Sequence, residues 1–271
     1  YKNKVKPILE KEGVRFLMKV PGVNQVIMNK IRTELINAFG GEFYEVIIGG
    51  AAFNKEVEAF FKKMGFPFTV GYGMTECAPI ITYDDWKDEK LFSCGKAAPN
   101  MQVRIASADP VNIPGEIQIK GANVFLGYFK NEEATAEVFT EDGWFKTGDM
   151  GILDEEGSLF IKGRTKCMIL GPSGQNIYPE EVETVVNSQP YVVDSLVIED
   201  DGGLTALIYP DFQQGEKEGM SQEAMVKYME GTLAELNTIL PNYARLKKIE
   251  VMSEDFERTP KKSIKRYLYQ R

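Results

Sequence analysis

Histidine is absent from this chain. That absence removes Ser-His-Asp hydrolysis, imidazole acid–base chemistry and most zinc sites. Cysteine is scarce: Cys77, Cys94 and Cys167 are odd in number and scattered, which implies a reducing, cytoplasmic setting rather than a disulfide framework. Positive charge is short too. The 32 Lys and Arg against 40 Asp and Glu leave a formal charge of −8, which argues against a chain built to neutralise a nucleic-acid backbone. The dense basic cluster is Lys261, Lys262, Lys265 and Arg266, near the end. No apolar run approaches the roughly 20 residues a membrane helix needs, and the start resembles no signal peptide. Chemistry therefore falls to carboxylates, Lys, Arg, hydroxyls, backbone groups or an oxygen-held metal.

What is present suffices for one large or two ordinary domains: 271 residues, 43% of them apolar. The chain opens without Met, and Tyr1 to Lys19 reads as an amphipathic segment cut from something longer. Asn24 is placed to cap a helix bearing Ile27, Ile31, Leu35 and Phe39, with Gly40 as its stop. Tyr44 to Ile48 reads as a strand ending in Gly49-Gly50-Ala51. Asn54 caps a helix with Val57, Phe60, Phe61 and Met64 on one face, and Phe66 to Val70 is the next strand, ending in Gly71-Tyr72-Gly73-Met74-Thr75-Glu76. Strand, helix, strand is a parallel βαβ unit, so both Gly-rich segments leave carboxyl ends of neighbouring strands, where open α/β sheets bind ligands.

From Leu91 to Arg164 the pattern changes to short β runs with Pro- and Gly-bearing turns, which predicts a small antiparallel or barrel-like β subdomain. After Lys166 a loop, a Pro179-led helix, the strands Val192–Ile198 and Leu204–Tyr209, a helix over Ser221–Leu240 and a last strand over Lys248–Met252 predict a compact α+β domain. The fold class expected is thus mixed α/β and α+β. The end of a parallel α/β subdomain spans 1–90, the barrel-like β subdomain 91–166 and a mobile C-terminal α+β domain 167–271.

Asp142-Gly-Trp-Phe-Lys-Thr-Gly-Asp-Met-Gly151, followed by Lys162-Gly-Arg-Thr-Lys166, carries the most chemistry. A hairpin turning at Asp154–Gly157 would hold Asp149 and Arg164 close. A carboxylate accepts from two hydroxyls while a planar cation donates in a fixed fork, which suits a ribose diol. An exposed Asp–Arg pair beside a hairpin has the same signature.

Three segments together resemble one family. Val70-Gly-Tyr-Gly-Met-Thr-Glu76, Thr147-Gly-Asp149 with Gly163-Arg-Thr-Lys166, and Gly174-Gln-Asn-Ile-Tyr-Pro-Glu-Glu-Val-Glu183 look like successive motifs of the adenylate-forming (AMP-binding) enzymes. Ile48-Gly-Gly-Ala-Ala52 and Gly121-Ala-Asn-Val-Phe-Leu-Gly-Tyr128 look most like long-chain fatty acid–CoA ligases. The resemblance implies that Gly49, Gly50 and Ala51 lie against adenine, that Tyr72, beside Gly73, stacks on the ring, and that Thr75 bonds the α-phosphate. It further implies that Glu76 binds Mg²⁺, that Asp149 and Arg164 hold the ribose, that Lys166 is a hinge and that Gly174 lines the coenzyme A tunnel. The implied reaction is acyl-adenylate formation from a fatty acid and ATP, then thioester formation with coenzyme A. The implied partners are those small molecules, with no nucleic acid, no transmembrane segment and at most transient contact with a membrane surface.

Two departures from the family pattern stand out. The Ser/Thr/Gly-rich phosphate loop with its Lys is missing and belongs upstream of Tyr1. The chain alone is therefore expected to show little carboxylate-dependent ATP–pyrophosphate exchange. The terminal motif, usually Thr-Pro-x-x-Lys-Ile-x-Arg, reads Thr259-Pro-Lys-Lys-Ser-Ile-Lys-Arg266, with Ser263 where the family has its catalytic lysine. A hydroxyl cannot replace a cation over developing negative charge. Lys262 could shift in, Lys261 or Lys265 could supply the charge, or adenylation could be slower; the expectation is that Lys262 substitutes, with Lys261 as solvated surface. An adenylating enzyme that loads a carrier protein, and a nucleotide-binding module that has lost catalysis, remain as alternatives.

Overall fold

The structure, a computed structural model, describes residues 9, 11–20, 22–171, 174–260 and 262–271. The chain divides into two compact units, Tyr1–Ile161 and Lys162–Arg271. Among the described residues, no helix is long and apolar enough to cross a membrane.

The first unit begins with helices α1 (Glu12–Leu17) and α2 (Val23–Ala38). Residues 1–8 and 10 of the expected amphipathic segment lie outside the described residues. Asn24 does not cap α2. The helix already starts at Val23, behind Gly22, and its N-cap makes no side-chain hydrogen bond. The expected βαβ unit is present as β1 (Val46–Ile48), α3 (Lys55–Met64) and β2 (Phe68–Val70), with β1 and β2 parallel in the register Val46↔Phe68 and Ile48↔Val70. Asn54 caps α3 as the sequence indicates: its Oδ1 accepts from the N–H groups of Glu56 and Val57, both at 3.1 Å. Met28, Phe60 and Met64 bury their side chains against Phe66, Phe68 and Val70.

The rest of this unit is antiparallel. Strands β3 (Tyr72–Gly73), β4 (Ile80–Tyr83) and β5 (Lys96–Ala97) form one sheet in that order. A second sheet has the order β6 (Met101–Ala106), β7 (Gly115–Gly121), β8 (Phe145–Leu153) and β9 (Leu159–Arg164), with helix α4 (Glu132–Val138) between β7 and β8 in sequence. The sheet is open rather than the barrel-like body expected: among the described residues its edge strands β6 and β9 do not pair with each other, so it does not close. Asp142, at the head of the Gly/Asp-rich run, braces the sheet's surface through Arg104, which donates to its two oxygens at 2.6 and 3.0 Å and stacks 4.4 Å from the Trp144 ring.

One buried acid gives the first unit a pH dependence. Glu58 of α3 is 4% exposed, and burial pushes its carboxyl up to about 7. Glu89 adds to the shift; the Phe92 N–H, Lys55 and Lys62 oppose it. A carboxyl at about 7 when folded and 4.5 when unfolded binds the proton more tightly in the folded state, so stability falls as pH rises between those values. Both tryptophans, Trp86 and Trp144, belong to this unit and report its unfolding. Urea midpoints followed by Trp fluorescence should drop between about pH 5 and 7.5, and Glu58→Gln should flatten that drop. An unchanged slope in the variant would assign the pH dependence elsewhere.

In the second unit, β10 (Ile169–Leu170) and β11 (Asn176–Ile177) form a small hairpin before helix α5 (Pro179–Val186). Its main sheet is β12 (Val192–Asp200), β13 (Gly203–Pro210) and β14 (Leu246–Val251), the first pair antiparallel and the second parallel. The hairpin turns on Asp201 and Gly202, both at positive φ (50° and 69°), the arrangement that matches strand twist. Between β13 and β14 lie α6 (Phe212–Lys217), α7 (Gln222–Gly231) and α8 (Leu233–Ile239). The single helix expected over Ser221–Leu240 is two: it breaks at Gly231-Thr232, where the Thr232 hydroxyl donates to the Met229 carbonyl at 2.7 Å. Met225, Met229, Leu236 and Leu240 are buried all the same, because the break preserves the facing of both halves.

Candidate nucleotide site

The Gly-rich segments behind β1 and β2 run side by side. Gly71 donates its N–H to the Ile48 carbonyl at 2.9 Å, and a Cβ on Gly49 would sit 3.3 Å from the Gly71 oxygen. Gly50 has φ 84°, and Ala51 follows it. These residues stand at the carboxyl ends of a parallel pair, the position in which α/β sheets meet ligands.

Tyr72 continues from the second segment, but its ring does not wait bare between glycines. It is 9% exposed and packs in a buried apolar cluster with Cys77, Ile81, Ile117 and Phe145. Its hydroxyl donates to Asp149 Oδ2 at 2.6 Å, across 77 residues of chain. Burial and the Asp149 charge push the Tyr72 phenol well above its ordinary range, so the hydroxyl stays a donor. Asp149 lies on β8 and is 7% exposed; its N–H donates to Thr147 Oγ1 at 3.1 Å, and that hydroxyl donates to the Ile117 carbonyl at 2.8 Å. The carboxylate is thus aimed by three successive bonds. Arg164, expected to assist it, is exposed at the end of β9.

Thr75-Glu76-Cys77 forms one 3₁₀ turn after extended Met74. The segment Gly121–Tyr128 clamps this turn. Phe125 N–H donates to the Glu76 carbonyl at 2.7 Å, Asn123 Nδ2 donates to the Cys77 carbonyl at 2.6 Å, and the Tyr128 hydroxyl donates to Glu76 Oε1 at 3.2 Å. Burial, with the Glu76 charge second, raises the Tyr128 phenol and keeps it protonated as the donor. Sequence reasoning missed Asn123 and Tyr128 as site residues; the Gly121–Tyr128 wording was the available signal. A depression of about 540 Å³ opens beside this clamp, lined by Leu126, Tyr128, Glu132, Thr135 and Phe139.

Gly73 has a structural reason of its own. A Cβ there would lie 1.9 Å from the Pro79 carbonyl oxygen, so the strand–turn–strand passage requires glycine whether or not a ligand is near. For Mg²⁺, the described residues hold no group of three or more His, Cys, Asp or Glu able to cage a metal. The single carboxylate of Glu76 nevertheless fits this ion, which is usually held by one or two carboxylates and substrate phosphates.

In the second unit, Lys166 is exposed in the 3₁₀ turn Thr165–Cys167, and Gly174 is exposed at φ 79°, donating its N–H to the Gly171 carbonyl at 2.9 Å. The terminal motif is a tight turn. Lys262, at φ 63°, donates its N–H to the Thr259 carbonyl at 2.8 Å, and Thr259 N–H donates to the Ser263 carbonyl at 2.8 Å. Lys265 is engaged by Glu257 at 3.0 Å, whereas Lys262 is exposed and makes no ion pair among the described residues. The expected surface position of Lys261 lies outside the described residues.

A two-unit chain, with a βαβ end, an open β sheet and a buried Tyr–Asp pair beside a Thr-Glu turn, is the later portion of an adenylate-forming fold. The pattern of the AMP-binding enzymes matches residues 2–129, that of the AMP-binding enzyme C-terminal domain matches residues 168–271, and the chain belongs to this family. A long-chain-fatty-acid–CoA ligase of Mycobacterium bovis is 29% identical over 263 residues, which cover 90% of this chain and 42% of that protein. A 2-succinylbenzoate–CoA ligase of Listeria innocua is 38% identical over 64% of this chain and 36% of its own length. Among solved structures, o-succinylbenzoate coenzyme A synthetase of Bacillus subtilis in complex with ATP and magnesium superimposes with a TM-score of 0.70 at 28% identity, over 86% of this chain and 49% of that one. This chain spans less than half the length of each of these relatives.

Proposed function

We propose that this chain is the later part of an ATP-dependent fatty acid–CoA ligase. The buried Tyr72–Asp149 hydrogen bond of 2.6 Å carries the reading, because it holds a carboxylate in one orientation, as the grip of a ribose diol requires, and Tyr72 directly follows the Gly71 end of β2. In this reading Gly49, Gly50 and Ala51 admit the base, Tyr72 flanks it, and Asp149, helped by Arg164, accepts from the ribose hydroxyls. Thr75 donates to the α-phosphate. Glu76, oriented by Tyr128, would hold Mg²⁺, which would offset phosphate charge.

The fatty carboxylate oxygen bonds to the α-phosphorus as the bond to pyrophosphate breaks, with Lys262 offsetting the developing charge. The coenzyme A thiolate then attacks the acyl carbonyl, AMP leaves with the electron pair, and the thioester remains. Lys166 serves as hinge and Gly174 lines the thiol's approach, which rests on the motif resemblance. The long-chain relative that matches 90% of this chain favours a fatty acid over an aromatic one.

The test uses the full-length protein. Carboxylate-dependent ATP–pyrophosphate exchange should be faster with palmitate than with 2-succinylbenzoate, and coenzyme A rather than a carrier protein should accept the acyl group. Lys262→Ala should slow exchange about 100-fold, the scale of losing one electrostatic stabiliser of a transition state. An unchanged exchange rate would remove Lys262 from this role, and preference for 2-succinylbenzoate would replace the fatty substrate.

A further inference from the structure

The terminal turn is held by more than its own backbone. Arg266, the last residue of the basic motif, reaches a helix 83 residues earlier: its Nη2 donates to Glu183 Oε2 and lies 3.7 Å from Glu180 Oε1, both on α5. Glu183 is 8% exposed, and its other oxygen accepts from the Val197 N–H of β12 at 2.7 Å. The glutamate therefore joins helix, sheet and terminal segment. Glu180 also faces Cys167 and would be 2.7 Å from a Cβ on Gly163, so the same cluster abuts the segment that bears Lys166.

An ion pair of this burial is a poor way to add stability, because desolvation cancels much of the attraction. The apolar hold on the segment comes from Ile264, which packs with Leu196, Leu207 and Phe256. Ile264 sets the depth of the chain, and Arg258 braces the entering side of the turn, donating to the Lys262 carbonyl at 3.3 Å and pairing with Asp194 of β12 at 3.0 Å. The bond from Arg266 to a glutamate already fixed by Val197 anchors the side that leaves the turn. We propose that Arg266 is a positioning residue. Through Glu183 it sets the orientation in which the Thr259–Lys265 turn presents Lys262 and Ser263. The proposal rests on the reading of this turn as the adenylation element, and it separates two jobs within one motif: Lys262 meets the substrate, and Arg266 aims it.

Hydrogen exchange on the chain itself tests the geometry without any need for turnover. Arg266→Met keeps the length of the stem and removes the bond. It should speed exchange of the Lys262 and Lys265 amides about tenfold, the scale of one lost hydrogen bond to a charged group, and leave β12 and β13 unchanged. Arg266→Lys should recover part of the protection, and it carries the same readout if the methionine variant does not fold. Unchanged exchange in the turn, or an equal rise across the sheet, overturns the proposal. In the full-length protein, Arg266→Met should lower kcat of the exchange reaction with KM for ATP unchanged, and spare thioester formation from supplied acyl-adenylate. Equal loss in both half-reactions overturns positioning. If the unmodified protein shows no exchange at all, the ligase reading fails while the amide data still decide the role of Arg266.

Discussion

Asp149→Ala is expected to weaken AMP binding about 100-fold, measured by titration calorimetry on the chain. That factor is about 2.7 kcal/mol, the size of one or two hydrogen bonds from ribose hydroxyls to a charged acceptor. The alanine also strands the buried Tyr72 hydroxyl, which now donates to this carboxylate at 2.6 Å, so part of the loss reflects a disturbed site. Two further variants separate the contributions. Asp149→Asn keeps an acceptor for Tyr72 but lacks the charge, and should bind more tightly than the alanine variant. Tyr72→Phe keeps the ring and frees the carboxylate from its orienting donor; about tenfold weaker binding is expected. Wild-type affinity in both Asp149 variants would end the ribose assignment.

The largest stability effect should come from Gly73→Ala. The added methyl would meet the Pro79 carbonyl oxygen at 1.9 Å and carbon at 2.8 Å, and that oxygen already accepts the Met74 N–H at 2.8 Å. Neither atom belongs to a flexible side chain, so backbone has to move. A cost of about 3 kcal/mol or more is expected, read as a lower urea midpoint by fluorescence of Trp86 and Trp144. Gly50→Ala provides the contrast: φ is 84° but nothing lies within 4 Å of the new Cβ, so only the intrinsic left-handed penalty of about 1–2 kcal/mol applies. Similar losses in the two variants would mean that the β3–β4 passage relaxes easily. The Gly73 loss should also appear without nucleotide, since the crowding comes from the protein's own backbone.

Several elements were legible from local pattern alone. Asn54 before an apolar helix face, flanked by two short strands, specified the βαβ unit and its cap, because capping and amphipathic periodicity act within a few residues. The acidic turn before Leu204 specified the β12–β13 hairpin in the same way. Other features were not legible. Asn24 looked like a cap, yet the helix begins one residue earlier behind Gly22. The Ser221–Leu240 periodicity runs unbroken through Gly231-Thr232 although the backbone does not, because Met225, Met229 and Leu236 satisfy the core from two helices as well as from one. The short β runs gave strands but not closure, which depends on strand number and edge pairing.

By itself, the sequence determined the chemistry available. Without histidine and with few cysteines, the candidate site had to rest on carboxylates, hydroxyls, glycine backbone and a terminal basic turn. It also determined that the glycine segments leave the ends of parallel strands, since a crossover helix between two strands allows little else. The tertiary structure decided which of those groups meet. It gave Asp149 to the Tyr72 hydroxyl, put Asn123 and Tyr128 around the Thr75–Glu76 turn, and tied Arg266 to Glu183. Such pairings join residues tens of positions apart and leave no periodicity in the sequence. They follow from sheet register and from burial, which makes an unpaired polar group costly and so favours whichever partner the packed chain brings within reach.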